Sequence, residues 1–84
     1  MSPDRAPIDV ASVVLAANRV LDRSRPGHRP IEASTTLEEA GIESLELTEI
    51  IVEVEILTGA VVSTDQIGAV TTIADVASLP RIFV

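Results

Sequence analysis

The 84-residue chain has no cysteine and a net charge of −7, which excludes disulfide staples and thiolate metal sites and argues against nucleic acid or anionic membrane as partners. Hydrophobic residues make up 46% of it but aromatics only 1%, so the core is expected to be aliphatic, in one domain near the lower size limit for folding without staples. No apolar run reaches the roughly 18 residues of a membrane span, and Met1-Ser2-Pro3-Asp4-Arg5 lacks the apolar segment of a signal peptide, so a soluble, cytoplasmic protein is expected.

From Ile8 to about Arg23, Val10, Val13, Val14, Ala17, Val20 and Leu21 follow the spacing of one helical face. Asp9 near its start and Arg19 and Arg23 near its end suit the helix dipole, and Ser24-Arg25-Pro26-Gly27 stops it. A connection of about twenty residues follows, long enough that a functional role is expected. Ile31, Leu37 and Ile42 can pin it to the core, and Thr36-Leu37-Glu38-Glu39 has the form of a capping box opening a short turn before Gly41.

A second strong helix is expected from about Ser44 to Thr58, with Leu47, Ile50, Ile51, Val54 and Leu57 on one stripe and Gly59 as its stop. Ala60-Val61-Val62 resembles a strand but has no evident partner, and reads as extended linker. Ser63-Thr64-Asp65-Gln66 has the capping-box form and should open a short helix ending near Val70. Thr72 can cap a last helix containing Ile73, Val76, Ala77 and Leu79, closed by Pro80. The expected fold is all-α: a four-helix bundle of three main helices and a short third one, with a long loop between helices 1 and 2. It occupies residues 1–84, with 1–7 and 81–84 as flexible termini. The expected core is Val13, Val14, Ala17, Val20, Leu21, Leu37, Leu47, Ile50, Ile51, Val54, Val62, Ile67, Val70, Ile73 and Val76.

The residue types for most enzyme chemistries are missing. His28 is the only histidine, placed among Arg25, Pro26, Gly27 and Arg29 in a loop, and an exposed structural role is expected for it. Nothing in the spacing sets it beside a serine for nucleophilic catalysis. The four glycines are isolated, so no phosphate-binding loop is present. The glutamates of the second helix have no histidine with them, and a solvated acidic face is expected rather than a metal site. No catalytic residue is assigned.

Gly41-Ile42-Glu43-Ser44-Leu45 stands at the mouth of the second helix. Gly41 permits a sharp turn, and Ser44 can cap the helix by accepting a backbone N–H. A serine at a helix N-terminus is also well placed to carry a phosphate, because free N–H groups and the positive end of the dipole favour an anion. One site can satisfy both readings.

The residues around Ser44 resemble the acyl carrier protein family in its free-standing form. That family carries a Gly-x-Asp-Ser-Leu motif after a long loop, then a helix with a glutamate five residues past the serine. Thr36 to Leu45 is similar to the approach and the motif, Glu49, Ile50 and Val54 fall at matching offsets, and Thr58-Gly59 looks like the helix end. Val62-Ser63-Thr64-Asp65 occupies the place of the usual Ile-Pro-Asp opening of the short helix, and Val70-Thr71-Thr72-Ile73 looks like the junction into the last. Glu43 stands where the family has aspartate, and Ser63 where it has proline.

The resemblance implies a non-catalytic carrier whose Ser44 receives 4′-phosphopantetheine from coenzyme A through a separate, Mg²⁺-dependent phosphopantetheinyl transferase. The thiol of that arm would hold an acyl group as thioester. Further partners implied are an acyl-loading ligase or acyltransferase and synthase enzymes with basic docking surfaces, met by a monomer.

Glu46, Glu49 and Glu53 recur at i, i+3 and i+7 and form a ridge leading away from Ser44. Like charges at that spacing weaken a helix, so docking explains them better than stability does. Leu45, Val52 and Ile56 lie off the core stripe and can supply either the apolar part of that surface or further core contacts. The expected partner-binding set is Glu43, Leu45, Glu46, Glu49, Val52 and Glu53.

The motif is closer to acyl than to peptidyl carriers, which favours acyl cargo in a fatty-acid, polyketide or lipopeptide pathway. The six basic residues, all arginine, lean toward a specialised pathway of a GC-rich bacterium. The alternatives are a peptidyl or aminoacyl carrier, a module of the same fold whose Ser44 is never modified, and an unrelated bundle that dimerises through its second helix.

Overall fold

A computed structural model describes residues 8–82. Asp9 begins the regular structure, its carboxylate accepting the N–H of Ala11, and helix α1 runs from Val10 to Ser24 with Arg23 in its last turn. α1 packs along the other long helix, α3, Ser44–Thr58. Between them lies the one-turn helix α2, Leu37–Ala40. After α3 come a two-residue strand β1, Val61–Val62, a 3₁₀ turn over Ile67–Ala69, helix α4, Ile73–Val76, and strand β2, Arg81–Ile82. The described chain is thus mostly helical, with two long helices rather than three.

The shortening has local causes. After Val76 the chain tightens into bonds that span three residues, with Ala77, Ser78 and Leu79 donating to the carbonyls of Ala74, Asp75 and Val76. Pro80 then bars a longer helix, since the residue before proline avoids helical backbone. The expected short helix near Ser63 is only the 3₁₀ turn. Ser63 is held instead by its N–H donating to the Pro80 carbonyl, and its hydroxyl accepts the Asp65 N–H two residues on, so no capping box forms there.

Val61-Val62 does have a partner, correcting its reading as linker. Val61 pairs with Ile82 and Val62 with Arg81 in an antiparallel ribbon, and the Val62 N–H also donates to Glu55 Oε2 at 2.8 Å. Arg81 and Ile82, expected in a loose terminus, are therefore ordered by that pairing. The rest of the two termini assigned as flexible, residues 1–7 and 83–84, lies outside the described residues.

The core is aliphatic, as composition requires. Val13, Ala17, Val20 and Leu21 of α1 meet Leu47, Ile50, Ile51 and Val54 of α3 over Ile73 and Val76 of α4, all buried. Ala16, Ile8, Ile31, Ile42 and Leu79 extend this cluster. Val14, Leu37 and Ile67, expected inside it, are only partly buried against it. For Leu37 and Ile67 the reason is an open cavity that both residues line.

The long loop is tied down by polar bonds that composition does not announce. Asn18 on α1 receives the Ile31 N–H at 2.9 Å and donates back to the Ile31 carbonyl at 3.1 Å, pairing with that residue as a strand would. Farther on, α2 and α4 complete each other's ends. Leu37 donates to Thr71 O, while Ile73 and Ala74 donate to the carbonyls of Thr35 and Ala33, so N–H groups left over at two helix starts find acceptors across the chain. Thr36 and Glu39 form the expected capping box on α2.

Candidate functional site

Ser44 is the first residue of α3, and the chain is aimed there by the turn before it. Gly41 closes α2 in the left-handed conformation, φ +67°, which glycine alone adopts freely. Ile42 then plunges into the core and Glu43 stands as the exposed, extended residue before the helix. Ser44 is exposed.

Ser44 does not cap the helix. The N-cap position belongs to Glu43, and no side chain caps this end of α3. The correction follows from the turn: with Glu43 extended, Ser44 already has helical backbone, and a first-turn hydroxyl is past the point at which it reaches the orphan N–H groups. Its hydroxyl makes no hydrogen bond to any described residue, and the start of a 15-residue helix is left open to an anion.

An open cavity of about 630 Å³ is lined by Ser44 itself with its neighbours Glu43 and Leu45, and by Leu37, Ile42, Leu47, Ile67 and Val70. The donor set fits a phosphodiester-linked arm at Ser44: a free hydroxyl, helix N–H groups for the phosphate oxygens, and adjoining aliphatic side chains for a flexible chain.

The other residues expected at the site fall into two groups. Leu45, Glu49, Val52 and Ile56 lie along one stripe of α3 at i, i+4, i+7 and i+11 and all face outward. Leu45 and Ile56 are 73% and 71% exposed, so these side chains are not further core contacts.

Glu46 and Glu53 turn the other way, toward α1. Arg25 Nη2 donates to Glu46 Oε1 at 2.6 Å and Ser24 Oγ to Glu46 Oε2 at 3.1 Å. Arg23 reaches Glu53 at 3.2 Å and Arg19 at 3.6 Å. The acidic ridge is therefore split, with Glu49 outside and its two neighbours answered by arginines of the same chain. These arginine pairings span 21 to 34 residues of sequence, beyond the reach of helical spacing arguments.

Arg25 is a second residue whose role the sequence hid behind its place in a helix stop. Besides Glu46, it donates from Nη1 to the Ala40 carbonyl at 2.9 Å and from Nη2 to the Gly41 carbonyl at 3.2 Å. His28 is partly buried, correcting its expected exposure. Its Nδ1 faces the Arg29 carbonyl at 2.6 Å and its Nε2 faces Asp22 at 2.7 Å. Two acceptors satisfy both ring nitrogens only when both carry protons, so the Arg29 carbonyl first, and Asp22 second, hold its pKa above the ordinary 6.5. Asp75 is held below its ordinary 3.8 by the N–H groups of Thr72 and Thr71, which it accepts at the start of α4.

Among the described residues no helix is long and apolar enough to cross a membrane. No curated protein matches the chain at a significant level, and no solved structure does. A family model described as the phosphopantetheine attachment site matches residues 11–79, a span holding both long helices, the ordered loop and the cavity. With its serine at an open helix start inside that span, the chain belongs to the family of carrier proteins that bear covalent 4′-phosphopantetheine.

Proposed function

We propose that the chain is a non-catalytic acyl carrier whose phosphopantetheine is attached at Ser44. The observation that carries this reading is the free, exposed Ser44 hydroxyl at an uncapped helix start beside an open cavity with aliphatic side chains in its wall. In loading, Ser44 Oγ forms a bond to the phosphorus next to the pantetheine of coenzyme A. The pyrophosphate P–O bond breaks, adenosine 3′,5′-bisphosphate leaves and the hydroxyl proton is released. When bound, the arm supplies a terminal thiol, absent from this cysteine-free chain, that holds an acyl group as thioester. The motif at Gly41 to Leu45, with no paired glycines before the serine, supports acyl over aminoacyl cargo and a fatty-acid, polyketide or lipopeptide pathway.

Docking falls to Glu43, Leu45, Glu49 and Val52, joined by Ile56, which present an apolar stripe flanked by carboxylates around the attachment point. Such a surface suits transferase, ligase and synthase partners with apolar patches edged by basic groups. Glu46 adds its charge to that face while it stays held by Arg25, and Glu53 takes part by exchanging an intramolecular arginine for one from the partner.

The test is co-expression with a broad-specificity phosphopantetheinyl transferase, read by intact mass. Wild type gains one phosphopantetheine and Ser44→Ala gains none. Because Ser44 makes no cap bond, Ser44→Ala should unfold within about 0.5 kcal/mol of wild type, as surface substitutions do. Loading of Ser44→Ala would move the site to another serine, and an unmodified wild type would favour the unmodified interaction module.

A further inference from the structure

We infer that Arg25 is a positioning residue for the modification of Ser44: its guanidinium clamps the turn that presents the serine, through three acceptors on two elements. This rests on the carrier reading above. Nη1 and Nη2 bind the carbonyls of Ala40 and Gly41, the last two residues before the chain turns into Ile42, Glu43 and Ser44, and Nη2 also binds Glu46, two residues past the serine. The acceptors therefore bracket Ser44 in sequence.

Each part of the arrangement limits a different freedom. Gly41 in its left-handed conformation is the pivot of the turn, and a Cβ built there would stand 3.0 Å from Arg25 Nη1, so the guanidinium lies directly against the pivot. Glu46 is fixed by Ser24 as well as by Arg25, which ties the first turn of α3 to the end of α1. Arg25 itself is placed by its own N–H, which donates to Leu21 O at the end of α1. A planar fork with five donors can bind two carbonyls and a carboxylate together, whereas an ammonium is a compact point charge without that fixed geometry.

The clamp leaves the Ser44 hydroxyl untouched and fixes where it stands. Group transfer is sensitive to such placement: an error of about 1 Å can cost about a hundredfold in rate. Loosening the turn should thus lower the turnover of loading rather than the affinity for the transferase. Freeing Glu46 would if anything add an anion to the docking face.

The experiment is steady-state loading of the full apo chain by a phosphopantetheinyl transferase with coenzyme A and Mg²⁺, for wild type, Arg25→Gln and Arg25→Lys. Thermal unfolding and hydrogen exchange are measured alongside. For Arg25→Gln, kcat should fall about ten- to a hundredfold with KM unchanged or lower, while the circular dichroism spectrum stays that of wild type. The Ile42 N–H, which donates to Leu37 O across the turn, should exchange faster while the core amides of Ile50 and Val54 do not. Arg25→Lys should recover only part of the loss.

Four outcomes overturn the inference. They are a wild-type kcat in Arg25→Gln, a loss confined to KM, full recovery by lysine, and a loss of core protection equal to that of the turn. The carrier reading fails separately, by the absence of any mass gain in wild type, and takes this inference with it.

Discussion

His28 shows how a single side chain acquires a role from its neighbours. Its ring bridges the Arg29 carbonyl and Asp22, tying the loop back to α1. The folded-state pKa is raised, so the bridge stabilises fully below the ordinary 6.5 and its contribution is lost as pH rises through the raised value. Melting temperatures of wild type and His28→Gln, measured from about pH 5 to 8, the range over which histidine titrates, should therefore differ most at the acid end and converge as pH rises. A constant gap across the range would mean that the ring acts by packing alone.

Among the elements, the long loop between α1 and α3 owes its order to polar anchors rather than to helix formation. Ile31 is buried at its start and Ile42 at its end, but Asn18 sets where the first of these anchors lands by pairing both backbone groups of Ile31. Asn18→Ala leaves a partly buried N–H and C=O without partners, which should cost about 1 to 3 kcal/mol. Denaturant unfolding measures that loss, and the Ile31 amide should lose protection before any amide of α3. The periodicity of α1 and α3 made both helices legible because a helix buries one face at fixed intervals. The pairing of β1 with β2 was not legible. It joins residues about twenty apart, and two valines on one side with an arginine and an isoleucine on the other carry no signal of which segment they meet.

For the molecule as a whole, one aliphatic core carries the fold, and Ile50 at its centre is fully buried. Ile50→Ala should cost about 2 to 5 kcal/mol in denaturant unfolding, a large share of the 5 to 15 kcal/mol typical of a domain. Charge works across the molecule differently from along one helix. Because Arg19 and Arg23 answer Glu53, Glu53→Lys gathers three cations at the α1–α3 seam and should lower the melting temperature as well as transfer to partners. Glu49→Lys and Leu45→Ser change the outward stripe only and should weaken transfer while leaving the melting temperature within a few degrees. Transfer rates across ionic strengths should fall less steeply for Glu49→Lys than for wild type, since a surface attraction is screened by salt. Equal slopes would assign the docking to apolar contact alone.

The sequence by itself determined the two long helices, the identity of most core residues, the capping box at Thr36 and the motif around Ser44, because each is set by local spacing and residue chemistry. Tertiary structure alone decided that Glu43 rather than Ser44 holds the N-cap position, that Leu37 and Ile67 line a cavity instead of sealing the core, and that β1 has a partner. It also decided which glutamates of α3 are free. Glu46, Glu49 and Glu53 are equivalent in the helical pattern, and only the packing angle of α1 brings Arg25, Arg23 and Arg19 against two of them and leaves the third in solvent. Spacing along a helix states which side chains share a face, and it takes a second element to state what that face meets.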